Sequence, residues 1–537
     1  MLHNDIFQNI INYLQIKDVL NIYHLNKYYE EYIKIYKIIA SKKIIKKITQ
    51  NVLNQLKYKY IEELDLSNNN KVFDLNHLIN LRVLHCNNYK EKDKKNYNFG
   101  NQPHNYLMNK VTNYMLGLAM STHNEEEITS AKSIVNKFRE RPEIVELSQN
   151  ITMDDNKENY YILKLFIEYL EENKLLQISS IDNESIKKLD LKELYICNNT
   201  KINNISHLTN LEKLDISGEF NQIKNIDNLK SLTELHISNN EHIKYIPPHK
   251  LINLIAQDKC SIEQENLSCM SKLQELNLNN NCRHYYLNKL ESLTKLYCQG
   301  KSAVDNMSLI DTKLKYLDCS NNNKISDLNY LSDTLEILYS NCDYLTTQLL
   351  DQQGISRLNL YELYINNNSK IVDVNHMSNL KKLDCSRNCG ITEDGMINSQ
   401  ICELICNQNR NIKNLNFLKN TLQKLKIQGP IIGPECTVDQ QGISELNLVE
   451  LDVFGNSNIT DVNHMKNLKK LRAGCLKNKI NIDQDGIKNI NLEYLSIHNN
   501  KITDLAHMSN LRYLVCCSEE LQHINIKNMM NLQIVNR

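Results

Sequence analysis

The chain has no tryptophan, only six prolines and only thirteen glycines in 537 residues. So few glycines leave little room for loops that cradle phosphate, and neither GxxxxGK[ST] nor GxGxxG occurs. GxSxG and HExxH are missing as well, which removes the nucleophile elbow and the two-histidine zinc helix. Net charge is also absent, with 63 basic against 63 acidic side chains. A dedicated nucleic-acid binder carries a strong positive footprint, so none is expected here. No run of eighteen apolar residues appears, so no membrane span is expected. The opening stretch MLHNDIFQNIINYL contains acid and amide groups and lacks a small-residue cleavage site, unlike a secretory signal.

Cysteine is plentiful at sixteen, yet no CxxC occurs. Cys86, Cys298, Cys319, Cys385, Cys406 and Cys516 each stand two residues after a leucine. That is an apolar slot, where a free thiol acts as a small hydrophobe. The positions argue for core packing over disulfides or metal, and so for a reducing, intracellular setting, the cytoplasm first with the nucleus left open.

What the chain does contain is asparagine, about 80 residues of it, and a short recurring block, LxxLxLxxN. The second leucine of the block recurs eighteen times between Leu64 and Leu514. Apart from one jump between Leu84 and Leu194, the steps run from 19 to 26 residues. In LxL both apolar residues face one side of a short strand, and the chain must then turn and return to begin the next. Asparagine suits that turn, because its amide can bond backbone groups that no strand satisfies. Asn69, Asn199, Asn240, Asn281, Asn322, Asn368, Asn388, Asn409, Asn456 and Asn500 hold the slot and would stack as an internal ladder. The period resembles that of leucine-rich repeats. The short returns, such as IVDVNHMSNL and ITDVNHMKNL, resemble the internalin-like class. The expected fold is therefore α/β: a curved leucine-rich-repeat solenoid with a parallel sheet and a 3₁₀, irregular or short helical outer side. Three longer steps carry DQQGIS at Asp351 and Asp439 and DQDGIK at Asp483, where a helical turn is expected. His77, His207, His376, His464 and His507 recur at one return position, one per coil, and read as structural.

Residues 1–40 break the repeat and read as short helices. Leu2, Asp5, Ile6, Ile10, Tyr13, Leu14, Asp18, Leu20, Asn26, Lys27 and Tyr28 resemble the F-box pattern, with His3 where proline is usual. The resemblance implies a Skp-type adaptor of a cullin–RING ubiquitin ligase as partner, gripped by Leu2, Ile6, Ile10, Leu14 and Leu20. The alternative is an ordinary helical cap on the first coil. The lysine-rich stretch 34–47 reads as the solvated face of a linking helix. The assignment is then 1–40 F-box-like domain, 41–89 linker and first repeats, 90–185 mainly helical insertion, and 186–537 solenoid.

No motif supports enzyme chemistry, and cysteine and histidine both sit in repeat slots. No catalytic residue, cofactor or metal ligand is expected. What remains is a concave binding face formed by residues flanking each buried leucine. Tyr297, Tyr316, Tyr339 and Tyr364 fall on four neighbouring coils, spanning about 15 Å at strand spacing. Tyrosine offers large contact area, few torsions and a polar tip. Asp318 and Asp384 share that face. Lys382, Lys424, Lys426, Lys470 and Arg472 make the later coils more basic, which favours an acidic region of a partner. The expected function is protein–protein interaction, with a substrate-recruiting ligase subunit as the leading reading. A leucine-rich-repeat binding module without a ligase link, structural or regulatory, is the alternative. The expected partners are a protein on the concave face and the adaptor at the N-terminus, with neither nucleic acid nor membrane.

Overall fold

The structure is a computed structural model that describes residues 37–38, 45, 48–55, 60–88, 179–343, 349–429, 437–474, 481–498, 501–526, 529 and 532–536. The chain divides into two compact units, 1–247 and 248–537. In the first, β1 (Lys37–Ile38), β2 (Glu63–Asp65), β3 (Val83–His85), β4 (Glu193–Tyr195), β5 (Lys213–Asp215) and β6 (Glu234–His236) pair in chain order, all parallel. In the second, β7 (Asn253–Ile255), β8 (Glu275–Asn277), β9 (Lys295–Tyr297), β10 (Tyr316–Asp318), β11 (Ile337–Tyr339), β12 (Glu362–Tyr364) and β13 (Lys382–Asp384) begin the stack. It continues through β14 (Glu403–Ile405), β15 (Lys424–Lys426), β16 (Glu450–Asp452), β17 (Lys470–Arg472), β18 (Tyr494–Ser496), β19 (Tyr513–Cys516) and β20 (Gln533–Asn536), again parallel and in order.

Strands this short hold because each from β2 to β19 is pinned by one buried leucine. All eighteen recurring leucines lie within a strand and are at most 2% exposed. Leucine pairs with leucine from strand to strand, as in Leu317↔Leu338 and Leu383↔Leu404. Burying one such side chain is worth about 2 kcal/mol, and a slip by one residue would turn the whole row outward. The register is thus fixed by hydrophobicity. Each unit is a leucine-rich-repeat solenoid.

The doubled asparagines at the strand ends do two different jobs. Asn68, Asn198, Asn239, Asn280, Asn321 and Asn367 take positive φ, between 53° and 62°, a region asparagine tolerates better than most residues. The asparagine that follows each is buried. Asn322 Nδ2 donates to Cys298 O at 2.9 Å and Val304 O at 3.1 Å, while its Oδ1 accepts from Lys324 N–H at 2.8 Å. Asn199, Asn240, Asn281 and Asn409 donate in the same way to Cys86, Ile216, Ala256 and Cys385. One expected rung is misplaced: Asn388 is exposed, and Cys389 is the buried residue of that turn. Two rungs were not expected. Asn221 and Asn481 arrive late in longer turns and donate to Ile196 O at 2.9 Å and Val453 O at 3.0 Å. Asn500 lies outside the described residues.

The return segments contain single 3₁₀ turns at Gln353–Ile355, Gln441–Ile443 and Asp485–Ile487, where the longer steps fall. Gly442 there sits so close to the preceding coil that a Cβ would meet Lys413 O at 2.1 Å, while its own carbonyl accepts from Leu415 N–H at 2.8 Å. His207, His376, His464 and His507 each place Nε2 3.1–3.2 Å from a carbonyl of the coil before, which requires the protonated nitrogen to donate.

The stack runs directly from β3 to β4. Leu84 and Leu194 are direct partners across β3 and β4, and Ser179 N–H donates to Asn88 Oδ1 at 2.8 Å where the segment returns. Residues 89–178, which hold most of the expected insertion at 90–185, lie outside the described residues, as do 1–36 with Leu2, Ile6, Ile10, Leu14 and Leu20. At the N-terminal end one difference appears. Lys37–Ile38 forms a strand, not a helix, with Ile38 in register with Leu64. At the other end Ile534 takes the leucine register on β20.

Candidate partner-binding face

Because the leucine of each strand from β2 to β19 points inward, its two neighbours stand on the opposite, open face of the sheet. These neighbours form two columns in each unit, one from the residue before the leucine and one from the residue after.

In the 248–537 unit, the tyrosines form a continuous ladder across β9–β12. Ring centroids are 5.2 Å apart for Tyr297–Tyr316, 5.5 Å for Tyr316–Tyr339 and 3.9 Å for Tyr339–Tyr364, the last pair nearly parallel. Lys295 Nζ stands 5.3 Å from the Tyr297 ring and 5.2 Å from the Tyr316 ring, and Lys382 Nζ stands 5.6 Å from the Tyr364 ring. Tyr297, Tyr316 and Tyr339 are half-buried, but Tyr364 is only 9% exposed, with its hydroxyl donating to Glu362 Oε2 at 2.6 Å. Burial, then the Glu362 hydrogen bond, pushes the Tyr364 phenol well above its usual range, and burial with Asp318 does the same for Tyr316. Both stay protonated near neutral pH and present hydrogen-bonding tips, not nucleophiles.

The two predicted aspartates are differently placed. Asp318 is 7% exposed, accepts from Ser320 N–H and takes a bond from Gln299 Nε2. Asp384 accepts from both Ser386 N–H at 3.0 Å and Ser386 Oγ at 2.6 Å. Both carboxylates close the turn after their own strand. The basic residues also have company: Lys382 pairs with Glu403 at 2.9 Å, Lys470 with Glu450 at 2.7 Å and Arg472 with Asp452 at 3.2 Å. Lys426 is exposed.

The sequence reading missed the order behind these pairs. Read along the column before the leucine, β12–β17 carry Glu362, Lys382, Glu403, Lys424, Glu450 and Lys470, in direct register and alternating in sign. The spacing was visible, but only the lysines were collected. Exposed pairs of this kind each add little stability. Together they keep like charges from standing opposite one another.

In the 1–247 unit, His85 stacks on Tyr195 at 4.3 Å, and Tyr195 donates to Glu193 Oε2 at 2.8 Å. Asp215, His236 and Ser238 stand in a row, with Nδ1–Oδ2 3.4 Å and Nε2–Oγ 2.9 Å. This has the order of a nucleophilic triad. The serine slot is a repeat feature, however, filled likewise by Ser217, Ser320 and Ser386, and Ser238 is only 6% exposed. Among the described residues no group of three histidines, cysteines or acids is placed to hold a metal, and no helix is long and apolar enough to cross a membrane. The thiols in the leucine-flanking slots are buried, and burial pushes Cys319 up to about 12.

No family model matches the chain, and no curated protein matches its sequence. Among solved structures it is similar to an internalin, InlF, from Listeria monocytogenes, at 19% identity over 65% of this chain and 92% of that one, with a TM-score of 0.29. It is similar to TLR13 in complex with ssRNA13 at 18% identity, covering 66% of this chain and 58% of that one, TM-score 0.37. The functional domain of InlJ from Listeria monocytogenes shares 18% identity over 68% of this chain and 64% of that one, TM-score 0.24. The chain thus spans less than two thirds of the TLR13 and InlJ chains it matches.

Proposed function

We propose that this chain is a protein-binding scaffold whose partner lies on the open face of the sheet, in an intracellular setting. The tyrosine ladder is the observation that carries the reading: half-exposed Tyr297, Tyr316 and Tyr339 line up ring against ring over about 10 Å of sheet. The test is a photo-cross-linking amino acid placed at Tyr316 on the sheet and, separately, at Val372, which is 46% exposed in a return segment. A discrete adduct from position 316 and none from 372 supports the reading. Equal adducts from both, or adducts from 372 alone, refute it.

The finer reading is a substrate-recruiting subunit of a cullin–RING ubiquitin ligase, supported by the F-box-like residues Leu2, Ile6, Ile10, Leu14 and Leu20. Full-length protein should then co-purify with a Skp-type adaptor, and Ile10→Asp with Leu14→Asp should abolish the association. Adaptor binding that is absent, or indifferent to those changes, leaves a binding module without a ligase link.

A further inference from the structure

The groove beyond the tyrosine ladder has a charge imbalance that its internal ion pairs leave open. It holds about 570 Å³ and is lined by Lys382, Lys424, Lys426, Lys470 and Arg472 against Glu403, Glu450 and Asp452, five cations to three anions. The register sets these in rows. β15 carries Lys424 and Lys426, β16 Glu450 and Asp452, and β17 Lys470 and Arg472, each directly opposite the next. Both carboxylates of the middle row turn to β17, Glu450 to Lys470 at 2.7 Å and Asp452 to Arg472 at 3.2 Å. Arg472 is further fixed over the Phe454 ring at 4.6 Å. Glu403 is held by Lys382 at 2.9 Å, so Lys424, 3.9 Å away, has only a shared partner. Lys426 is exposed and makes no ion pair among the described residues. Asp384, two strands away in the same column, bonds Ser386 and meets Lys426 only through longer-range attraction. The unmet positive charge therefore lies on β15.

We propose that this groove seats an extended acidic segment of a partner protein, with two carboxylates two residues apart lying over Lys424 and Lys426. The inference rests on the sheet-face reading above and narrows it. Residues two apart on any extended chain are about 7 Å apart, so an acidic-x-acidic segment laid along β15 has the spacing of the two lysines. A nucleic-acid strand fits less well, because its phosphates would also face Glu450 and Asp452 in the next row. Side chains of a peptide can be acidic over one row and neutral over the other.

The test uses the full-length protein and a fluorescein-labelled ten-residue peptide of alternating Glu and Ser, read by fluorescence anisotropy. A Gln–Ser peptide and a ten-nucleotide oligo(dT) serve as parallel probes. The Glu–Ser peptide should bind, and its affinity should fall about tenfold between about 50 and 300 mM salt as the screening length shortens. Lys424→Gln with Lys426→Gln should weaken it about tenfold, while Val372→Ala, in a return segment away from the sheet face, leaves it unchanged. Equal binding of the Gln–Ser peptide, tighter binding of oligo(dT), or indifference to the double lysine change would each overturn the inference. Cross-linking from position 316 that succeeds beside a Glu–Ser peptide that fails to bind overturns this inference alone and leaves the sheet-face reading standing.

Discussion

Asn322 and Asn388 end the same sequence block and should behave very differently when replaced by alanine. Asn322 is fully buried, and its amide serves three backbone groups: the carbonyls of Cys298 and Val304 and the N–H of Lys324. Alanine removes all three bonds. Lys324 is exposed, so its N–H can turn to water at small cost. Cys298 and Val304 are fully buried, and each orphaned carbonyl costs about 1–3 kcal/mol. Adding the small void left by the amide, the loss is about 4 kcal/mol. The side chain of exposed Asn388 has no such duty; only its backbone N–H bonds, to Asn367 Oδ1 at 3.3 Å. Its replacement should cost under about 0.5 kcal/mol. Coils contact mainly their neighbours, so the damage should be local. Hydrogen exchange resolves this better than one melting temperature. Amides between 298 and 328 should exchange about a thousand-fold faster in Asn322→Ala, and near the parent rate in Asn388→Ala. Equal changes in the two variants, or a loss below about 1 kcal/mol at Asn322, would refute the ladder as a source of stability.

Other perturbations follow from the same geometry. Tyr364→Ala should cost about 3 kcal/mol by thermal unfolding, since it removes a ring 9% exposed and stacked on Tyr339, whereas half-buried Tyr297→Ala should cost about 1 kcal/mol. Gln408 occupies the left-handed position that asparagine fills in six other coils, at φ 58°, so Gln408→Asn should raise stability by about 0.5–1 kcal/mol in urea unfolding. At Asp384 burial outweighs the Ser386 hydrogen bonds and holds the carboxyl above its usual range. Its ionised form therefore opposes folding above the unfolded pKa of about 3.9 and ceases to do so as pH falls below it. Asp384→Asn should raise the melting temperature at pH 7 and leave it unchanged at pH 3. Asp215 runs the other way: burial raises it, but the His236 and Ser217 hydrogen bonds prevail and hold it below the usual range. Its stabilisation is present above about pH 3.9 and fades as pH falls through the lowered value, so Asp215→Asn should be destabilised at pH 7 and approach the parent in acid.

The inward leucines were legible in the sequence because burial selects one residue type at one spacing. Leu64 through Leu514 needed no knowledge of neighbours to be found. The asparagine ladder was legible only where the turn has constant length. Asn388 sits at the expected count but is turned out, while Asn221 and Asn481 sit at unexpected counts and are turned in. A bond to the preceding coil depends on where the turn ends in space, and a count along the chain does not carry that. Strand β1 was hidden for a related reason, since two residues of a strand have too short a period to separate from a helix.

The open face shows a different limit. Each lysine and glutamate there is an ordinary surface residue when read alone, and the five cations of β13–β17 looked like a basic region. Once Leu383, Leu404, Leu425, Leu451 and Leu471 are aligned by register, the residue before each reads Lys, Glu, Lys, Glu, Lys. Alternation at strand spacing spends most of the positive charge inside the sheet, because opposite signs stand at contact distance and like signs about 10 Å apart. What survives for a partner is the remainder at Lys424 and Lys426, not the sum of the cations. A surface built this way holds a ligand by matching the pattern of charge, so breaking the alternation should abolish binding even when net charge is kept. Exchanging Lys424 with Glu450, as the paired change Lys424→Glu with Glu450→Lys, turns the column into Lys, Glu, Glu, Lys, Lys and so breaks the alternation without altering total charge. If the acidic peptide bound the exchanged protein as well as the parent, bulk charge and not its arrangement would govern the face.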